Sequence, residues 1–189
     1  MVARTSLRYN PDPRHPPAVP RDRFVEALTR LTATICVVGA VEPDGTWHGR
    51  TATAVMSLAA DPPTMLVSID RTSAMAGVIE ASEGFSVAML AEHQDEIADA
   101  FAGKLPIARS ERFTRGTWSA WPSGRPKLDD AVAVIDCHLI GLTEVSTHIL
   151  FVGLVTEVET RDASPLLWSL RRYAGVAARQ TSAPGVDED

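Results

Sequence analysis

The apolar runs of this chain are the length of strands, and turn signals punctuate them at regular intervals. From Ala33 to Val41 the run ATICVVGAV is β-branched and apolar, and Pro43-Asp44-Gly45 follows it before a second extended stretch from Trp47, the pattern of a hairpin. Further runs cover Met65 to Asp70, Phe85 to Leu90 and His148 to Val158. The last is apolar on both faces, which predicts a central strand. Ala131, Ala133, Ile135, Cys137 and Leu139 alternate with a set that includes Asp136 and His138, so that strand should have one buried and one partly wet face. Helical spacing is confined to short stretches. Phe24, Ala27, Leu28 and Leu31 follow Asp22 as the expected N-cap, Ser73 to Ala81 reads as a helix capped by Ser73, and Gln94 to Phe101 should lay Ile97, Ala98, Ala100 and Phe101 on the sheet as a surface helix. A long irregular connection is expected from there to about Lys127. Many short strands with only two or three short helices favour a mainly β barrel over a parallel α/β sheet.

At 189 residues and 45% hydrophobic content, the chain is long enough for a single core. Residues 1–20 hold Pro11, Pro13, Pro16, Pro17 and Pro20 with few apolar anchors, a composition that reads as a tail or as an arm lying on a partner subunit. Residues 178–189 look equally loose, which leaves a domain over residues 21–177. The net charge of -6 is scattered along the chain and no Lys/Arg-rich run is present, so nucleic acid is not an expected partner. No apolar run approaches the roughly 20 residues that would span a bilayer, and the N-terminus lacks a signal-peptide layout; no membrane association and a cytoplasmic location are expected. Cys36 and Cys137 lie far apart, in apolar runs and outside any Cys-x-x-Cys pair. They read as small buried hydrophobes rather than a disulfide or zinc site.

The chemistry begins with what is missing. No Gly-x-Gly-x-x-Gly, no Gly-x-x-x-x-Gly-Lys-Ser/Thr and no Gly-x-Ser-x-Gly is present, and the five histidines do not fall at metal-ligand spacing. Any nucleotide cofactor needs another scaffold. The most unusual stretch is GRTATAVMSLAADPP, Gly49 to Pro63, where small and hydroxylated residues replace bulky ones. Thr51, Thr53 and Ser57 would set hydroxyls beside exposed amides, an arrangement that suits a flavin; a strand packed closely on another subunit would look the same. Asp70-Arg71-Thr72-Ser73 puts a cation and two hydroxyls where a strand ends and a helix starts, either a phosphate site or a capped helix beside a solvated arginine. His148, beside Thr147 at a strand mouth, reads as a functional group or as a surface histidine. Asp129-Asp130 reads as a turn.

Taken in order, six segments resemble the flavin reductase family that supplies reduced FMN to two-component monooxygenases, which includes the 4-hydroxyphenylacetate and pyrimidine-utilisation flavin reductases. They are GRTATAVMSLAADPP, TMLVSIDRTSA (Thr64 to Ala74), FSVAMLAEHQDEIADAFAGK (Phe85 to Lys104), ERFTRGTWSAWPSGRPKLDDAVAVIDCHL (Glu111 to Leu139), STHILFVGLVTEV (Ser146 to Val158) and PLLWSLRRYAG (Pro165 to Gly175). The resemblance implies an FMN-binding split β-barrel with a few short helices, working as a homodimer with two sites near the subunit interface. It also implies that Thr51, Ala52, Thr53 and Ala54 line the isoalloxazine edge, with Ser57, Asp70, Arg71 and Ser73 nearer the ribityl phosphate. Ala88 and Met89 would border the flavin, Ala88 standing where the family usually has asparagine. Arg172 and Tyr173 would border the site, and His148 would lie on the nicotinamide side as the catalytic histidine.

The activity this resemblance implies is hydride transfer from NADH or NADPH to FMN, with FAD as the other flavin left open. Reduced flavin would then reach a flavin-dependent monooxygenase by diffusion or transient contact. The protein's part in such a reaction is to stack two rings at reacting distance, which needs no catalytic dyad. Two other outcomes stay open: a retained FMN that passes electrons to a corrinoid or quinone, and a non-enzymatic flavin-binding module.

Overall fold

The computed structural model describes residues 2–7 and 14–177, so the expected tail over residues 178–189 lies outside the described residues. In chain order the elements are β1 (Ala3–Leu7), α1 (Arg21–Leu28), β2 (Ala33–Thr34), β3 (Cys36–Val41), β4 (Trp47–Ala52), β5 (Val55–Ala60), β6 (Pro63–Asp70), α2 (Ala74–Ala81), β7 (Gly84–Met89) and α3 (Asp95–Ala102). A 3-10 helix at Arg109–Thr114 leads to β8 (Trp118–Ala120), β9 (Pro126–Leu128), β10 (Ala133–Val145), β11 (His148–Thr160), β12 (Leu167–Ser169) and β13 (Arg172–Ala174). The connection expected to be irregular up to Lys127 therefore holds a 3-10 helix and the β8–β9 hairpin.

The main sheet runs β4-β3-β7-β10-β11-β6-β5. Its two edge strands are consecutive in the chain, separated only by Thr53 and Ala54. A link that short spans roughly 11 Å at full extension, so the sheet curls until its edges approach, yet β4 and β5 do not pair and the sheet stays open. The Ala54 carbonyl at this seam accepts a hydrogen bond from the Ser68 amide of β6 at 2.9 Å.

β10 continues beyond the end of β7, and β1 runs parallel to the extension from Ala3↔Gly141 to Leu7↔Val145. The first strand thus pairs with a strand of its own chain. Arg4 bridges Glu80 at 3.1 Å and Glu144 at 2.9 Å, a solvated pairing of small energetic weight.

Two apolar clusters fill the interior. One holds Val38, Val67, Ile79, Phe85 and Phe151 between the sheet and α2, and the other holds Leu90, Phe101, Trp121, Leu128 and Leu166 beneath α3 and the β8–β9 hairpin. Cys36 and Cys137 are free thiols buried in the first cluster, and burial pushes each up to about 12. Two elements depart from the amphipathic reading. α1 begins after Pro20 with no side-chain cap, Asp22 sitting inside its first turn, and it buries no residue: Phe24 is 54% exposed and Leu31 64%. Asp136, expected on a partly wet face, is buried and paired with Arg125 at 3.0 Å, the two side chains 3% and 7% exposed.

That pair is one corner of a small buried network. Arg125 also donates through Nε to the Ser82 hydroxyl at 3.1 Å and through a terminal nitrogen to the Ser82 carbonyl at 2.9 Å. Gly84 leaves the room the guanidinium needs, since a Cβ there would stand 2.2 Å from it. The network ties the β8–β9 loop, the turn after α2, and β10 together. Removing one partner strands a buried charge, so Asp136→Ala is expected to lower unfolding stability by about 3 kcal/mol. Urea denaturation should report it as a reduced midpoint with an unchanged slope.

Candidate functional site

The site grows from β4. Gly49 on that strand has no Cβ because the ring of Phe101 would stand 2.5 Å from one, so α3 settles directly on the strand. Thr51 fastens the contact by donating its hydroxyl to the Ala98 carbonyl at 2.7 Å. The hydroxyl expected to face a ligand thus spends its proton on α3, leaving its lone pairs for other partners. Gly103 in the left-handed conformation (φ 74°) ends α3 and turns the chain to Lys104. Phe113 meets Phe101 and Trp118 edge to face nearby, and Phe101 and Trp118 lie tilted to each other, with ring centroids 4.9 to 5.3 Å apart; the trio holds the 3-10 helix against the end of α3.

Three cavities meet along this strand and the seam that follows it. The first, about 570 Å³, is walled by His48, Arg50, Thr72, Ser73, Arg109 and Arg112. A slot of about 200 Å³ lies between Ile35, Ala52, Lys104, Trp168 and Tyr173. The third, about 510 Å³, opens among Leu31, Thr34, Met56, Ser57 and Met89. Thr51 lines both the first cavity and the slot, and Thr53 lines both the slot and the third cavity, so the three openings adjoin one another in a row.

The first cavity is electropositive. Arg50 donates to the Ser73 hydroxyl at 3.2 Å, and that hydroxyl accepts from the Met75 amide at 3.4 Å as the cap of α2. Asp70 at its rim accepts from both the amide and the hydroxyl of Thr72, at 2.8 and 2.7 Å. Those bonds hold its carboxyl below the usual range. Among the lining residues it is the one carboxylate against three arginines.

The slot is aromatic. Trp168 and Tyr173 pack edge to face at 5.3 Å, and Lys104 Nζ stands 5.0 Å from each ring centroid, within cation–π reach. Lys104 is anchored by Asp99 at 2.7 Å, and the Tyr173 hydroxyl donates to the same carboxylate. This trio pins the β12–β13 hairpin to the end of α3. Burial pushes the Asp99 carboxyl up, but the bonds from Lys104 and Tyr173 outweigh it and the net shift is down.

Of the residues singled out from the sequence, Thr51, Ala52, Thr53, Ser57, Asp70, Ser73, Met89 and Tyr173 line the three cavities. Ala54 is exposed at the seam. Ala88 is buried in the second apolar cluster and lines none of these cavities. Arg71 is exposed and lines none of the three cavities, its amide donating to the Thr147 carbonyl at 3.0 Å. Arg172 is exposed on β13. His148 is exposed, sits directly across from Asp70 in the β11–β6 register, and has Nδ1 2.9 Å from the Thr147 hydroxyl. Arg50, Lys104, Arg109, Arg112 and Trp168 were not singled out. Arg50 lay inside the noted GRTATAV stretch, next to Thr51 in sequence, but the others have no local signal.

The sequence profile of the flavin reductase like domain matches residues 28–177. The chain belongs to the flavin reductase like domain family. The FMN reductase (NADH) RutF of Methylorubrum extorquens is 36% identical over 172 residues, spanning 88% of this chain and 82% of that protein. Among solved structures, the flavin reductase PheA2 superposes with a TM-score of 0.76 at 28% identity, over 85% of this chain and all of that one. The styrene monooxygenase flavin reductase of Pseudomonas putida S12 gives 0.73 at 26% identity, over 82% and 98%.

In this flavin reductase like domain the Asp99 latch has a sign in pH. Its carboxyl is more acidic folded than unfolded, where it titrates near 3.9. Its contribution is therefore complete above that value and lost as pH falls through the lower folded one. Thermal melts of Asp99→Asn should show a lower Tm than the parent protein at neutral pH, the gap narrowing as the parent is titrated into acid.

Proposed function

We propose that the protein is an NADH- or NADPH-dependent FMN reductase that passes reduced flavin to a flavin-dependent monooxygenase, by diffusion or transient contact. The observation that carries this reading is the pair of adjoining openings along β4, where an aromatic slot and an electropositive cavity share Thr51. A flat ring fits the slot with Thr51, Ala52, Thr53 and Ala54 along its edge, and a phosphate fits at Ser73, where Arg50 and the first amides of α2 converge. Family membership and the NADH-dependent FMN reductases among its relatives support the same assignment. When bound, the flavin supplies the hydride-accepting chemistry.

The chain's own residues do the positioning. Trp168 and Tyr173 wall the ring, and Lys104, held by Asp99, presents a positive charge where anionic reduced flavin gains from one. His148, held by Thr147 and facing Asp70, orients the nicotinamide donor or supports a proton on that side. The enzyme works in the cytoplasm as a homodimer of split barrels. Phe24, Leu28, Leu31, Met56 and Leu58 are exposed on α1, the turn after it and β5, with Leu31 and Met56 lining one cavity. A second copy covers that face.

Oxidation of NADH or NADPH by the purified protein, measured with and without added FMN under low oxygen, tests the activity. Turnover that depends on added FMN is expected, and bleaching of a bound flavin without turnover would refute the diffusible-flavin reading. His148→Ala should reduce kcat while the Kd for FMN stays nearly constant; unchanged kinetics would remove the histidine from the mechanism. Leu58→Lys should shift the sedimentation coefficient from dimer to monomer.

A further inference from the structure

Arg109 and Arg112 enter the electropositive cavity from the 3-10 helix, an element separate from the β4 and α2 residues around Ser73. Among the described residues neither arginine forms an ion pair. Arg112 Nε is buried without a hydrogen-bond partner. Burial pushes its guanidinium down, and the charges of Arg109 and Arg50 add to that. Clustered cations of this kind are relieved by an anion. The cavity is also far larger than one phosphate requires: about 570 Å³, within the range that holds a whole small-molecule ligand. One end has its own phosphate donors at Ser73, and Phe101 supplies an apolar wall.

We propose that Arg109 and Arg112 form a subsite for a second phosphoryl group, so that the cavity holds the nucleotide end of a dinucleotide in addition to the flavin's own phosphate. The proposal rests on the assignment of the flavin phosphate to Ser73 and Arg50. Two sources share this chemistry: the adenylate phosphate of FAD, and a phosphate of the nicotinamide donor.

Fluorescence titrations of riboflavin, FMN and FAD against the full chain separate the cases, with Arg112→Gln, Arg109→Gln and Ser73→Ala compared after thermal melts establish that each folds. If FAD is the source, Arg112→Gln weakens FAD about tenfold more than FMN and leaves riboflavin unchanged, the size expected for one charged hydrogen bond. If the donor is the source, flavin affinities hold while the KM for NADH or NADPH rises about tenfold. A larger rise for NADPH would point to its 2′-phosphate. Equal weakening of FMN and FAD would overturn the proposal, because both arginines would then grip the flavin's single phosphate; so would no change in any affinity or KM. Ser73→Ala reports on the underlying assignment alone. It should weaken FMN but not riboflavin, and failure there with FAD still separated from FMN by Arg112→Gln would overturn only the placement of the first phosphate.

Discussion

A link of two residues, Thr53 and Ala54, joins the opposite edges of a seven-strand path, and much of the molecule answers to that constraint. The sheet has to curl for the link to reach, and the curl gives it an inside that Phe85, Phe151, Val38 and Val67 fill. Because β4 and β5 do not pair, the seam between them keeps free backbone edges and small side chains. Thr51 and Thr53, at the seam, each line two of the adjoining openings. The small-residue stretch that looks weak as a strand is therefore what lets the sheet turn from one edge to the other.

Much of the fold was legible because its signals are local. Pro43-Asp44-Gly45 makes its hairpin turn, with the Thr46 amide donating to Asp44 at 2.8 Å. Ser73 caps α2, and Ile97, Ala98, Ala100 and Phe101 are the buried stripe of α3. What failed depended on distant partners. Asp136 reads as a wet-face residue until Arg125 arrives from a loop that local sequence could not place beside it. α1 has the spacing of a helix that packs inward, but among the described residues it buries none of its own. The site divides in the same way. Thr51, Thr53, Ser57, Asp70 and Ser73 sit in segments whose composition is unusual on its own. Lys104, Arg109, Arg112 and Trp168 come from ordinary segments and acquire meaning only where α3, the 3-10 helix and the β12–β13 hairpin converge on β4.

Charge placement follows the same geography. The buried pair of Arg125 and Asp136 is matched in charge and tied to Ser82, so it serves the fold. Arg50, Arg109 and Arg112 outnumber the carboxylate around them. One arginine is paired inside the fold, and three others stand around one opening.

The walls of the site and its floor are built differently. The floor is β4, held in register by β3 along its length from Cys36↔Ala52 to Val41↔Trp47, and a slip of one residue would turn every side chain to the opposite face. The walls are a helix end, a 3-10 turn and a two-strand hairpin in a separate small sheet, clipped on by Thr51 and by the Asp99 latch. Substitutions in those walls can change what the opening selects without disturbing the strand beneath. A fold of this design lets its wall segments diverge between descendants through a few exchanges, its folding left intact.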